Sequence, residues 1–75
     1  MFTDLFASEF SNYRYSLAAT GIYFKDKEVN SRRAAEKQMY KFLKKNGLHV
    51  IEIWDDHHHK TYICDHGVKF YISRI

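Results

Sequence analysis

The apolar positions switch from a helical period to an alternating one at residue 48. In "NSRRAAEKQMYKFLKKNG" (residues 30–47), Ala35, Met39, Phe42 and Leu43 recur at i, i+4, i+7 and i+8, the spacing of one buried helical stripe. Asn30 or Ser31 can accept from the free N–H groups of the first turn, and Lys44 and Lys45 suit the negative end of the helix dipole. Asn46 and Gly47 supply the left-handed stop. Beyond it, "LHVIEIW", "KTYIC" and "VKFYISRI" read as three strands joined by short turns, with "DHGV" a tight hairpin signal because glycine tolerates positive φ.

The first part of the chain is less decided. "YRYSLAATGIYFK" (13–25) is rich in strand formers, and Thr20–Gly21 reads either as a bulge in one long strand or as the bend of a hairpin. "TDLFASEF" (3–10) can start a short helix capped by Thr3, with Phe2, Leu5, Phe6 and Phe10 on one face. The order is therefore β-α-β-β-β, with a short helix in front. This predicts one small α+β domain over residues 1–75, a main helix packed on an antiparallel sheet.

A two-residue turn at His66–Gly67 and a four-residue turn at 56–59 set an expected register. Asp65 faces Val68, Ile63 faces Phe70, and Ile53 faces Tyr62. One sheet face then collects Leu48, Val50, Trp54, Ile63, Val68, Phe70 and Ile72, the face the helix should cover. The other collects His49, Ile51, Ile53, Tyr62, Cys64, Lys69 and Tyr71. A wet face would normally be more polar, so this one is expected to meet the N-terminal helix, a partner or a second copy of the chain.

Composition sharpens the picture only in places. Aromatics are 17% of the chain, which helps a small core, and dimerisation or docking on a larger partner is the other remedy. Cys64 is the sole cysteine, so no internal disulfide forms. Residues 1–10 lack the pattern of a secretory leader and no stretch approaches a membrane span, so a reducing, cytoplasmic location without membrane contact is expected. The net charge is +3, with Lys25, Lys27, Arg32, Arg33, Lys37, Lys41, Lys44 and Lys45 close together in sequence. That permits contact with nucleic acid or an acidic protein without requiring it.

The histidine run in "WDDHHHKTY" (54–62) invites a metal reading. Consecutive strand residues point to opposite faces, so His57, His58 and His59 do not all converge, and no CxxC, HxxxH or HExxH spacing is present. A polar hairpin loop is the expectation, with no metal site and no cofactor. Cys64 with His66 lacks an orienting group and an oxyanion site, so no catalytic residues are assigned and the protein is read as a non-enzyme.

The helix face opposite the apolar stripe carries more. Arg33, Lys37, Tyr40 and Lys44 recur at i, i+4, i+7 and i+11, and Arg32 and Arg33 sit where the helix dipole disfavours cations. An aromatic within a basic stripe suits a protein hot spot, or phosphate contact with base stacking. The expected partner-binding residues are Arg32, Arg33, Lys37, Tyr40 and Lys44 on the helix, with Ile53, Tyr62 and Tyr71 on the sheet. As a whole, an aromatic-rich single-helix α+β chain without catalytic motifs, this sequence resembles small bacteriophage accessory proteins, including some anti-CRISPR inhibitors. The resemblance implies a stoichiometric inhibitor that binds a host protein or nucleoprotein complex in the bacterial cytoplasm. A nucleic-acid-binding module using the basic helix or the tyrosine face is the alternative, and a homodimer fits either.

Overall fold

The computed structural model describes residues 14–56 and 59–75. The helix expected over 3–10, and His57 and His58, lie outside them. Strands β1 (Tyr15–Thr20) and β2 (Lys27–Val29) precede helix α1 (Arg32–Lys45), and β3 (Val50–Asp55), β4 (His59–Cys64) and β5 (Lys69–Arg74) follow. The sheet order is β2-β1-β5-β4-β3, with antiparallel pairing throughout. Among the described residues this is an α+β fold with one α-helix on a five-stranded sheet. At Thr20–Gly21 the chain ends β1 and turns back, but the return strand is Lys27–Val29, beyond the expected 13–25 segment, with Tyr15 opposite Val29 and Leu17 opposite Lys27. Two strands therefore precede the helix instead of one.

The helix ends where its punctuation says it should. Ser31 is the N-cap, its Oγ accepting the Ala34 N–H at 3.1 Å. At the other end Gly47 takes φ 67°, and the Leu48 N–H reaches back to the Leu43 carbonyl at 2.9 Å. The Gly47 N–H points to the Lys44 carbonyl at 3.3 Å. This pair of bonds is a Schellman motif, and its usual apolar contact is supplied by Leu43 and Leu48, both in the core. Of the expected stripe, Ala35, Met39 and Leu43 are buried, and Phe42 is half-buried against Phe24 and Phe70 with ring centroids 5.0 and 5.7 Å away.

The sheet register differs from expectation by one residue between β4 and β5. The turn at His66–Gly67 forms, both residues at positive φ, with the Val68 N–H donating to the Asp65 carbonyl at 3.3 Å. The Val68 carbonyl, however, accepts from Cys64 at 2.8 Å and not from Asp65. Asp65 is bulged out, and its N–H donates to the His49 carbonyl at 3.1 Å. Tyr62 therefore opposes Phe70, and Ile63 opposes Lys69. A one-residue slip exchanges the faces of a strand. Tyr62 and Cys64 enter the core beside Val68, Phe70, Ile72 and Leu17, and Ile63 turns away from it.

Ile53 pairs with Tyr62 as expected, so it moves to the helix side with it. A bulge between Val50 and Glu52 keeps Val50 on that side too, opposite Cys64. Trp54, expected under the helix, instead shares the open sheet face with Thr61, Tyr71 and Ala18, successive partners across four strands. Each fully buried large side chain, such as Phe70, Met39, Leu17 or Ile72, contributes about 1.5–3 kcal/mol of transfer free energy.

Candidate functional site

The helix is narrower than the sheet. α1 lies mainly on β1, β2 and β5, and no described element covers β3 at the sheet edge. Every residue of β3 after Val50 is exposed, with Ile51 at 67%, Ile53 at 47% and Trp54 at 60%. β3 pairs with β4 alone, so the far side of its backbone has no strand partner among the described residues. Edge strands are usually protected by lysine, proline or a covering element. "VIEIWD" has neither residue, and among the described residues its protection is the bulge with Glu52 and Asp55. Glu52 also accepts the Trp54 indole N–H at 2.7 Å, which holds the ring against the strand.

A cleft of about 400 Å³ runs beside this edge, where α1 ends and β3 begins. Leu43, Leu48 and Val50 supply apolar lining, with Tyr40, Lys44 and His49 completing it. His49 is fixed by Asp65, whose Oδ1 accepts the His49 backbone N–H at 3.0 Å and whose Oδ2 lies 3.2 Å from Nδ1. The backbone N–H of His49 holds the Asp65 carboxyl below the usual aspartate range, with its ring adding to the effect.

Next to the cleft sits a small polar knot. The Tyr62 hydroxyl donates to Glu36 Oε2 at 2.6 Å, and Lys60 Nζ donates to the same oxygen at 3.2 Å. Lys60 also lies 5.5 Å above the Tyr62 ring. The Tyr62 hydrogen bond lowers the Glu36 pKa. Burial, and then Glu36, push the Tyr62 phenol well above its ordinary value.

The structure brings some of the expected binding residues together and separates others. Tyr40 and Lys44 line the cleft, and Ile53 stands on the adjoining edge on the helix side of the sheet. Arg33 and Lys37 are exposed on α1, and Arg32 is half-buried, its charge favouring ionised Glu36. Tyr62 is not an exposed anchor: it is 1% accessible and meets Tyr40 edge-on at 6.1 Å. Tyr71 does not share a face with Ile53 and Tyr62, because the Asp65 bulge puts it on the opposite side, where its hydroxyl is 3.5 Å from Thr20 Oγ1. Sequence reasoning missed Trp54 as an exposed residue, and the missing signal was the Asp65 bulge, which carries Ile53 to the helix side with Tyr62 and so turns Trp54 to the open face.

Cys64 is buried, and burial raises its thiol pKa, the reverse of what a nucleophile needs. Among the described residues no three His, Cys, Asp or Glu side chains are grouped to hold a metal ion, and no helix is long and apolar enough to cross a membrane. Comparison with known proteins returned no matching family model, no matching curated protein and no matching solved structure.

Proposed function

We propose that the protein is a small non-enzymatic binding module that takes an extended segment of a partner protein along β3, with a partner side chain in the adjoining cleft. The observation that carries this reading is the uncovered edge strand, with Ile51, Ile53 and Trp54 exposed beside the cleft of Tyr40, Leu43, Lys44, Leu48 and Val50. Strand addition uses main-chain hydrogen bonds for affinity and side-chain pockets for specificity, and both halves are adjacent here. Glu52 and Asp55 on the edge favour a segment that is basic as well as apolar. The reading accords with the resemblance to small phage inhibitors, whose partner would be a host protein or nucleoprotein complex.

The test is affinity isolation from nuclease-treated bacterial lysate with wild type and Ile53→Lys, alongside the mass in solution of both. Capture of a defined protein by wild type and its loss with Ile53→Lys supports the reading. Equal capture by both overturns it. A wild-type dimer that becomes monomeric with Ile53→Lys assigns the edge to a second copy of the chain instead.

A further inference from the structure

On the side of α1 away from β3, lysines from two elements converge on an aromatic floor. One recess of about 180 Å³ is lined by Phe24, Lys27, Gln38, Lys41, Phe42 and Lys45. A second, of about 240 Å³, shares Phe24, Lys27 and Phe42 and adds Tyr23 and Lys25. Lys41 and Lys45 are four apart on the helix, where like charges repel, and Lys27 adds a third cation from β2. None of Lys25, Lys27, Lys41 and Lys45 makes an ion pair among the described residues. Tyr23 is 90% exposed on the β1–β2 loop, a large ring held in water beside this patch.

We infer that this surface binds single-stranded nucleic acid, with phosphates on the lysines and a base on Tyr23. Groups of this kind recur wherever unpaired strands are held: a cationic track for the backbone and aromatic planes for base faces. Gln38 on the rim offers a donor and an acceptor to a base edge. An acidic peptide would satisfy the lysines but leave the aromatic rings unused. A duplex keeps its bases stacked on each other and presents no base face to Tyr23. The site is separate from β3 and does not depend on the reading of that edge.

The test is fluorescence anisotropy of the full chain with a labelled, unstructured single-stranded DNA or RNA oligonucleotide over a series of salt concentrations, with a duplex of equal length and polyglutamate as competitors. Affinity should fall with salt, and Lys41→Gln with Lys45→Gln should flatten the log–log slope by about 1.4, roughly 0.7 for each lost phosphate contact to a single strand. Tyr23→Ala should weaken binding at least about fivefold with the slope unchanged, and Tyr23→Phe should restore it. Arg33→Gln and Lys37→Gln, on the other helix stripe, should leave the slope as it is. The inference fails if no binding appears at low salt, or if duplex or polyglutamate competes as well as single strand. It also fails if Tyr23→Ala binds like wild type, or if the Arg33 and Lys37 variants flatten the slope as much as the Lys41 and Lys45 pair.

Discussion

Asp65 and His49 hold each other by two hydrogen bonds to the His49 backbone: the Asp65 N–H donates to the His49 carbonyl at 3.1 Å, and the Asp65 carboxylate accepts the His49 N–H at 3.0 Å. This clasp joins the turn before β5 to the start of β3, and it is the alternative that wins Asp65 away from Val68. The bulge it creates decides which face of β4 is buried. An aspartate is suited to the position because a neutral or apolar side chain gives the His49 N–H a weaker acceptor or none.

Asp65→Asn should therefore lower stability and blunt its loss in acid. The folded Asp65 carboxyl binds its proton less tightly than the unfolded chain does, because the His49 N–H favours the charged form. Its contribution is complete above the ordinary aspartate range, about pH 4, and is lost as pH falls through the lower folded value. Glu36, lowered mainly by Tyr62, acts in the same sense, so the substitution shrinks the acid limb without removing it. Thermal midpoints measured from neutral pH down into the acid limb for wild type and Asp65→Asn check this. Parallel curves would contradict it.

Tyr62 lies inside the core with its hydroxyl on Glu36, so its two ends can be tested separately. Tyr62→Phe keeps the ring and leaves Glu36 its bond from Lys60, so it should cost about 1.5–2 kcal/mol, the low end of the scale for a hydrogen bond to a charged group. Glu36→Ala should cost more, about 2–3 kcal/mol, because it strands both the Tyr62 hydroxyl and the part-buried Lys60 ammonium. Burial and Glu36 raise the folded phenol, so stability is retained up to the ordinary tyrosine range, about pH 10, and falls above it. In an ultraviolet titration Tyr62 should stay protonated until the chain unfolds, and Tyr62→Phe should remove that late component.

Much of this fold is legible in the residues, and the failures share one cause. The α1 boundaries, its buried stripe and the hairpin turn follow from local chemistry: Ser31 as cap, Asn46–Gly47 as stop, the period of Ala35, Met39 and Leu43. The positions of β1, β3, β4 and β5 follow from alternation, whereas β2 (Lys27–Val29) lies outside the expected 13–25 segment and is too short to alternate. The faces did not, because two bulges, at Asp65 and at Ile51, each shift a strand by one residue. Neither is marked by a glycine or a proline. Both arise from contacts distant in sequence, and alternation cannot reveal them. The candidate site was legible in its helical half, Tyr40 and Lys44; Ile53 was singled out, but on the face opposite to the one it occupies. The site was not legible in Trp54 or Tyr71, whose faces depend on the Asp65 bulge. The lysine-rimmed recess needed β2 and α1 placed side by side.

Two glycines at positive φ make a controlled pair. Gly47, at φ 67°, has open space where a Cβ would stand. Gly47→Ala should cost only the left-handed strain, about 1 kcal/mol, or about 4–8 °C in midpoint for a chain of this size. Gly21, at φ 83°, packs against the turn before β5, and an added Cβ would collide with the Gly67 carbonyl oxygen. Gly21→Ala must move one backbone off another and should cost at least about 2 kcal/mol. Urea unfolding of the two variants ranks them, and equal costs would mean that the close approach of Gly21 to Gly67 is not maintained in solution.

The edge strand gives the last prediction, and the two faces of the sheet separate its outcomes. Ile51→Lys, at a position 67% exposed, should change stability by no more than about 0.5 kcal/mol, and Ile53→Lys, at a position 47% exposed, by no more than about 1 kcal/mol. Each places on the edge the charge that edge strands commonly use to refuse another strand. If β3 receives a partner segment, either substitution should abolish its capture, because strand addition requires the whole edge. Tyr71→Ser alters the opposite face and should leave capture intact, although its half-buried ring lies beside Thr20 and its loss will lower stability somewhat. The measurements are partner capture, mass in solution and urea midpoint for the three variants. Loss of capture with Tyr71→Ser but not with the lysine variants would move the binding surface to the open sheet face, around Trp54, Ile63 and Tyr71. Loss with the lysine variants alone, with the urea midpoint unchanged for Ile51→Lys and the chain still folded for Ile53→Lys, places it on β3, because a folded chain that has lost only an accepting edge has no other reason to release its partner.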